Sequence, residues 1–372
     1  MSSDASTLPL QDKPAGSGWA GLRRRLLHGR AGVIARPGER AWIGIACLLV
    51  IVVCSAFVVV IAANRPSILS ATTHANFFPH WMAGPLGGLL PGLTRNSTTL
   101  KYLFSGAIVL MYVCYLLALR YVPRLRARWA IATVLVVHAI FLLAPPLALT
   151  DIFNYVNYGR MEVVHHLNPY TTIPILEPHN DPSYDLSNWH QLLSPYGPLF
   201  TLLTFVVVPL GVAASFWVLK SLLAVAGLAT IYLVWKCARL LGRDPVAAIV
   251  LVGLNPIVLV WGLGGDHNDF LMMFFILLGF YLLLRTRERD RRGEEGPAGS
   301  SSAVSHVAAG VHGWLLPLSA AEIGAGAAFV TAAAIKASGA VLLPVVIAGL
   351  LRTPRRLAQV VLGMAAAGAV TA

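Results

Sequence analysis

Residues 41–63 read AWIGIACLLVIVVCSAFVVVIAA, an apolar run without a single charged side chain. A helix needs about 20 such residues to cross the hydrocarbon core of a bilayer. The run is too long for a signal-peptide core and no evident cleavage site follows it, so it reads as a membrane anchor. Similar runs recur at 100–119, 129–149, 216–238, 247–263, 268–285, 315–335 and 338–351. A last run from Leu357 to Ala372 is too short to span comfortably, which leads us to expect a C-terminally incomplete membrane domain. The expected fold class is all-α, a polytopic transmembrane helical bundle. Residues 1–40 form a basic tail, and residues 41–372 form the membrane domain.

Composition supports this. Of 372 residues, 57% are hydrophobic and only 12% charged, against roughly 25% charged in soluble domains. The formal charge of +12 fits basic loops on one side of a membrane better than a nucleic-acid surface. Cys47, Cys54, Cys114 and Cys237 all lie in apolar runs and show no metal-ligand spacing, so they read as small buried residues.

Lys and Arg placement sets the expected orientation. The tail and residues 120–128, 236–243, 285–292 and 352–356 are basic and go to the cytoplasm. Residues 286–312 read as a flexible cytoplasmic linker. The loops 64–99, 150–197 and 264–267 then lie outside, together with the turn near Lys336. Residues 198–210 are apolar, but counting them as a span would invert two basic loops. We expect an interfacial or re-entrant helix there.

The external loop carries the chemistry. Residues 150–198 read TDIFNYVNYGRMEVVHHLNPYTTIPILEPHNDPSYDLSNWHQLLSPYGP. Asp151 directly follows an expected span, and an ionisable group at that boundary is a functional hypothesis by default. Asp151, Asn154, Tyr155, Tyr158 and Glu162 have helical spacing and share one face. Asp151 and Glu162 stand about 16 Å apart at 1.5 Å per residue, too far to act on one bond. A helix N-cap is the structural alternative for Asp151. Tyr196, in SPYGP, can stack on a sugar or belong to an interfacial aromatic belt.

Residues 264–269 read GGDHND. Asp266, His267, Asn268 and Asp269 exceed what capping the next helix requires. The cluster can position a sugar or acceptor or bind a divalent cation, although it lacks a metal-ligand spacing. Lys336 stands at an outer boundary that positive-inside would leave uncharged. It either snorkels or meets a phosphate.

In order, DIFNYVNYGR, NPY, SPYGPL, Asn255-Pro256 and GGDHND resemble the actinobacterial polyprenol-phosphate-mannose-dependent α-1,6-mannosyltransferases, integral membrane glycosyltransferases of the GT-C class. The resemblance covers about residues 100–350. It implies a GT-C bundle with juxtamembrane helices in the external loop, Asp151 as catalytic base, and a second acidic group at Asp266 or Asp269. It also implies a phosphate contact at Lys336. Family members have more spans than this chain.

The expected activity is transfer of mannose from a polyprenyl-phosphate donor to a lipid-linked mannan of the lipomannan and lipoarabinomannan type, built on an α-1,6 backbone. Asp151 is catalytic; Tyr155, Tyr158, Tyr196, Asp266, His267, Asn268, Asp269 and Lys336 bind substrate. No organic cofactor is expected, a divalent cation stays open as a ligand of the site, and no nucleic acid is expected. Partners are the lipid donor, the lipid-linked acceptor and membrane lipid. The enzyme is a multi-pass cell-membrane protein with a cytoplasmic N-terminus and an outward-facing site. The alternative is a transporter or lipid flippase, which should show repeated broken helices.

Overall fold

The computed structural model describes residues 41–64, 79–89, 96–148, 150–294 and 318–371. Among them the regular structure is helical throughout: α1 (Ala41–Ala63), α2 (His80–Ala83), α3 (Ser97–Tyr121), α4 (Ala127–Leu142), α5 (Asp151–His165), α6 (Pro198–Val207), α7 (Val212–Leu240), α8 (Pro245–Gly253), α9 (Asp269–Glu294), α10 (Ala320–Ile335), α11 (Leu342–Leu350) and α12 (Pro354–Thr371). Among the described residues, four helical stretches are long and apolar enough to cross a membrane: Ala41–Ala63, Ser97–Arg124, Val212–Leu240 and Asp269–Arg292. In lipid every backbone group must be satisfied within the segment, and a helix does so. The chain is an all-α membrane protein.

Several expected spans are shorter or broken. The run 129–149 stops being helical at Leu142, since Pro145 and Pro146 cannot continue a helix. The run 247–263 divides: α8 ends at Gly253, and after Asn255-Pro256 residues Val258–Leu263 form a π-helical turn. Pro256 has no backbone N–H to continue the ladder. The run 315–335 becomes helical at Ala320, where Ser319 caps the Glu322 N–H. The run 338–351 opens with a 3₁₀ turn, Ala337–Val341, before α11. Residues 286–294 of the expected linker continue α9, supported by Glu288 pairs to Arg291 and Arg292. The remainder of that linker and the tail 1–40 lie outside the described residues. Pro198–Leu210 is a separate short apolar helix with a 3₁₀ end.

The apolar interior falls into three clusters. One joins α1, α3, α4, α8 and the π turn. A second joins α5, α6, α7, the start of α9 and the end of α10. A small third lies among α9, α10, α11 and α12. There α10 and α12 cross at Gly326 and Gly363, where an added Cβ on either would strike the other helix's backbone. Small residues let membrane helices approach closely. The candidate site sits on the second cluster.

Candidate active site

Three helix ends converge. Asp151 is the first residue of α5, Asp269 the first of α9, and Lys336 the first residue past α10. The N-cap position before α5 is Thr150, so the capping alternative for Asp151 fails. A carboxylate in the first turn still suits the helix dipole.

Asp151 is 8% exposed. The Tyr196 hydroxyl approaches its Oδ1 at 3.5 Å. Burial raises the Asp151 carboxyl above the ordinary range, while nearby His267 and Lys336 pull it back. Both effects are expected of a desolvated acid beside a lysine and an imidazole. The Lys336 ammonium lies 2.6 Å from Asp269 Oδ2, and His267 Nδ1 lies 3.7 Å from the same oxygen. Lys336 therefore pairs with a carboxylate and does not simply snorkel.

Aromatic rings wall the carboxylate. Tyr196 packs edge-on against Tyr155, centroids 4.7 Å apart, and lies over Trp189 at 6.2 Å. The Asn268 backbone N–H donates to the Tyr155 hydroxyl at 3.0 Å, tying α5 to the GGDHND turn. Burial first, and then the Asp151 charge, push the Tyr155 hydroxyl well up, so it stays protonated. Tyr158 touches the Tyr196 ring but turns its hydroxyl to the Leu192 carbonyl, 2.7 Å away. It supports the wall more than it faces Asp151. The Asn268 side-chain amide is fully buried and finds no hydrogen-bond partner among the described residues.

The proline motifs hold Tyr196. The Tyr170 hydroxyl, from NPY, donates to the Tyr196 carbonyl at 3.0 Å, and Ser194 N–H donates to the Pro169 carbonyl at 2.8 Å. Gly197 N–H donates to the Ile335 carbonyl at 3.0 Å. That bond brings SPYGP beside Lys336.

Lys220 was not among the expected site residues. It lies on α7 and reaches Asp266, with both side chains almost wholly buried. A lysine buried within an expected span is itself a functional signal. Asp266 has φ +56°, a region where Asp is among the few residues tolerated. Burial raises its carboxyl, and Lys220 opposes that rise. Asp266 is thus sealed by Lys220, whereas Asp269 stays partly open.

The loop after α5 has its own polar knot. Asp181 accepts from Arg160 at 2.8–3.1 Å, from Ser183 N–H at 2.9 Å, and contacts His165 Nε2 at 2.7 Å. Burial would raise this carboxyl, but these donors hold it well below the carboxylate range. Glu177 differs. Burial pushes it up to about 7, and the Asn157 amide favours its charged form without a close hydrogen bond. Among the described residues no three His, Cys, Asp or Glu side chains are placed to hold a metal ion.

The family described as "Alpha-(1->6)-mannopyranosyltransferase, N-terminal domain" matches residues 41–352. The chain belongs to the α-(1→6)-mannopyranosyltransferase family. It is 35% identical over 163 residues to alpha-(1->6)-mannopyranosyltransferase A of Mycobacterium tuberculosis, covering 42% of this chain and 31% of that protein. It is 30% identical over 181 residues to alpha-(1->6)-mannopyranosyltransferase B of Corynebacterium glutamicum, covering 45% and 28%. The matched stretches thus span under a third of either relative. No solved structure matches the chain.

Proposed function

We propose that the convergence of Asp151, Lys336 and the GGDHND turn is a mannosyl-transfer site that uses a polyprenyl-phosphate-mannose donor. The acceptor is a hydroxyl on a lipid-linked mannan with an α-1,6 backbone. The observation that carries this reading is a buried carboxylate, Asp151, beside Lys336 and His267 at the junction of apolar helices. Family membership supplies the reaction class.

In the transfer, the acceptor oxygen attacks C1 of mannose as its proton passes to Asp151. The bond from C1 to the phosphate oxygen breaks, and the polyprenyl phosphate leaves as an anion. Lys336 has three N–H donors. One faces Asp269, which leaves others for the departing phosphate. Tyr196, Tyr155 and the unpaired amide of Asn268 line the sugar. Asp266 acts through Lys220 by fixing the turn. The step needs no organic cofactor. The site faces outward, and the N-terminus and basic loops face the cytoplasm. The rival reading, a transporter or flippase, expects broken helices repeated at matching positions, whereas the polar groups of the proposed site, Asp151, Asp269 and Lys336, gather at helix ends.

The test is to incubate membranes with labelled polyprenyl-phosphate-mannose, with and without the protein. Label should pass to lipid-linked glycan, and Asp151→Asn should reduce transfer about 10²–10⁴-fold while the protein stays inserted. Absence of transfer by the wild type, or full turnover in the Asn variant, overturns the reading. A cysteine at the exposed position Gln191 should label with an impermeant reagent in intact cells. Labelling only after lysis would overturn the outward orientation.

A further inference from the structure

A lysine and three arginines face one hollow at the ends of α7 and α9 that lie away from the candidate site. Lys236, Arg239, Tyr281, Arg285, Glu288 and Arg292 line it, and its volume is about 280 Å³. Tyr281, Arg285, Glu288 and Arg292 recur at i, i+4, i+7 and i+11, so they form one stripe along α9. Lys236 and Arg239 answer from the end of α7. The two helices run the same way: Lys220 meets Asp266 just before α9, Thr230 approaches the Phe270 carbonyl, and both helices then reach the hollow. Lys220 to Lys236 is about 24 Å at 1.5 Å per residue, and so is Asp269 to Arg285. That is most of a hydrocarbon core of about 30 Å, so the hollow lies at the opposite membrane boundary.

Basic residues at such a boundary are common, and Arg239 in the last turn of α7 suits the helix dipole. Neither fact accounts for the grouping. Arg285 stands well inside α9, which runs on to Glu294, and Arg287 and Arg291 of the same segment do not line the hollow. The charges are also unmatched. Four cations face one carboxylate, Glu288, which already pairs with Arg291 and Arg292. Among the described residues no carboxylate pairs with Lys236, Arg239 or Arg285. The neighbouring polar hollow, between α9 and the starts of α10 and α12, differs, since Asp290 and Glu322 answer Arg356 there. A phosphate can accept from several of these donors at once. A lipid phosphate fits better than a soluble one. The Lys236 ammonium lies 5.7 Å over the Tyr232 ring, and Tyr232 belongs to an apolar groove between α4 and α7 with Ile131, Leu135 and Trp235. A headgroup in the hollow thus has apolar surface beside it for an acyl chain.

We propose that this hollow binds the phosphate of an anionic glycerophospholipid, at the membrane boundary opposite the candidate site. Basic pockets between spanning helices recognise headgroups in this way. Bound there, the headgroup bridges α7 and α9, the helices whose other ends hold Lys220 and Asp269. The chemistry of the hollow does not depend on which donor or sugar the site uses.

The experiment places the full chain in phosphatidylcholine bilayers and titrates spin-labelled phosphatidylglycerol by electron paramagnetic resonance. An immobilised fraction should appear that unlabelled phosphatidylglycerol displaces, and that added phosphatidylcholine and glycerol phosphate do not. Arg239 and Arg285 are exposed, so replacing them should leave the interior intact. Arg239→Gln with Arg285→Gln should weaken the binding about tenfold. Arg120→Gln with Arg287→Gln removes the same charge outside the hollow and should change it less than about twofold. Equal loss in both double variants would mean diffuse surface attraction and overturn the proposal. Displacement by glycerol phosphate would make the hollow a site for soluble phosphates and overturn the lipid assignment. Displacement by phosphatidylcholine would show that the headgroup charge is not read, and would overturn it as well. These competitions use the wild type, so they decide the matter even where a variant fails to insert.

Discussion

Lys220 Nζ lies 2.7 and 2.9 Å from the two carboxylate oxygens of Asp266, and both side chains are about 2% exposed. The pair joins a membrane-spanning helix to a turn whose own backbone is left-handed at Asp266. Desolvating two charges is costly, so such a pair is weak evidence for stability, but breaking it strands a buried ion. We read it as the clamp that holds the GGDHND turn in shape.

Lys220→Ala should therefore destabilise the protein by about 3–5 kcal/mol. Lys220→Met combined with Asp266→Asn removes both charges and keeps a residue that tolerates positive φ. Thermal unfolding in detergent should show the double variant regaining most of the loss. If the double variant is as unstable as Lys220→Ala, the stranded-charge account is wrong.

Gly197→Ala should uncouple SPYGP from the end of α10. A Cβ at that position would run into the Ala334 carbonyl, so the two backbones must part. Overpacking of this kind costs about 1–3 kcal/mol. The separation moves Tyr196 away from Lys336, so transfer should fall by more than the loss of stability explains. Equal activity per folded molecule would show that the contact does not position the site.

Lys336→Ala should cost about 10- to 150-fold in donor kcat/KM, the worth of a charge-assisted bond of roughly 1.5–3 kcal/mol. It should also move the pH profile. Lys336 pulls down an Asp151 carboxyl that burial has raised, so removing the cation raises that group further. As the proposed base, Asp151 then stays protonated to higher pH, and the acid limb of kcat/KM shifts upward. Lys336→Arg keeps the charge and should leave the limb in place. A purely structural lysine would lower activity without moving the limb.

Glu177 offers a stability test at a distance from the chemistry. Its folded value, about 7, lies above the ordinary value of about 4.3. Between those values the folded state binds more protons, so stability falls as pH rises through that window. Glu177→Gln should thus match wild type near pH 4 and be more stable at pH 8. Melting curves at the two pH values check this; an equal offset at both would mean that the carboxyl does not titrate there.

Much of this protein is legible from the chain alone. Ala41–Ala63 begins and ends where the sequence reading puts it, because an uncharged run of that length can satisfy its backbone in lipid only as a helix. The α5 start at Asp151 is equally local: the polar and aromatic periodicity begins there. Asn96 caps α3 through bonds to Thr98 and Thr99, a local use that the residue's own side chain supplies.

The pairings are another matter. Lys220 meets Asp266 across 46 positions, and Tyr196 meets Asp151 across 45. No period or spacing encodes such contacts. The Pro256 break is visible in the sequence, but where it leaves the GGDHND turn depends on how α8, the π turn and α9 pack. Hydrophobicity and helix geometry act over a few residues, so the sequence by itself determined the membrane class, the long unbroken helix Ala41–Ala63 and the polar segments. A buried charge must find its counter-charge wherever the fold brings one within a few ångströms. Only the tertiary structure decided that Lys220 seals Asp266, while Lys336 and Asp269 remain open beside Asp151.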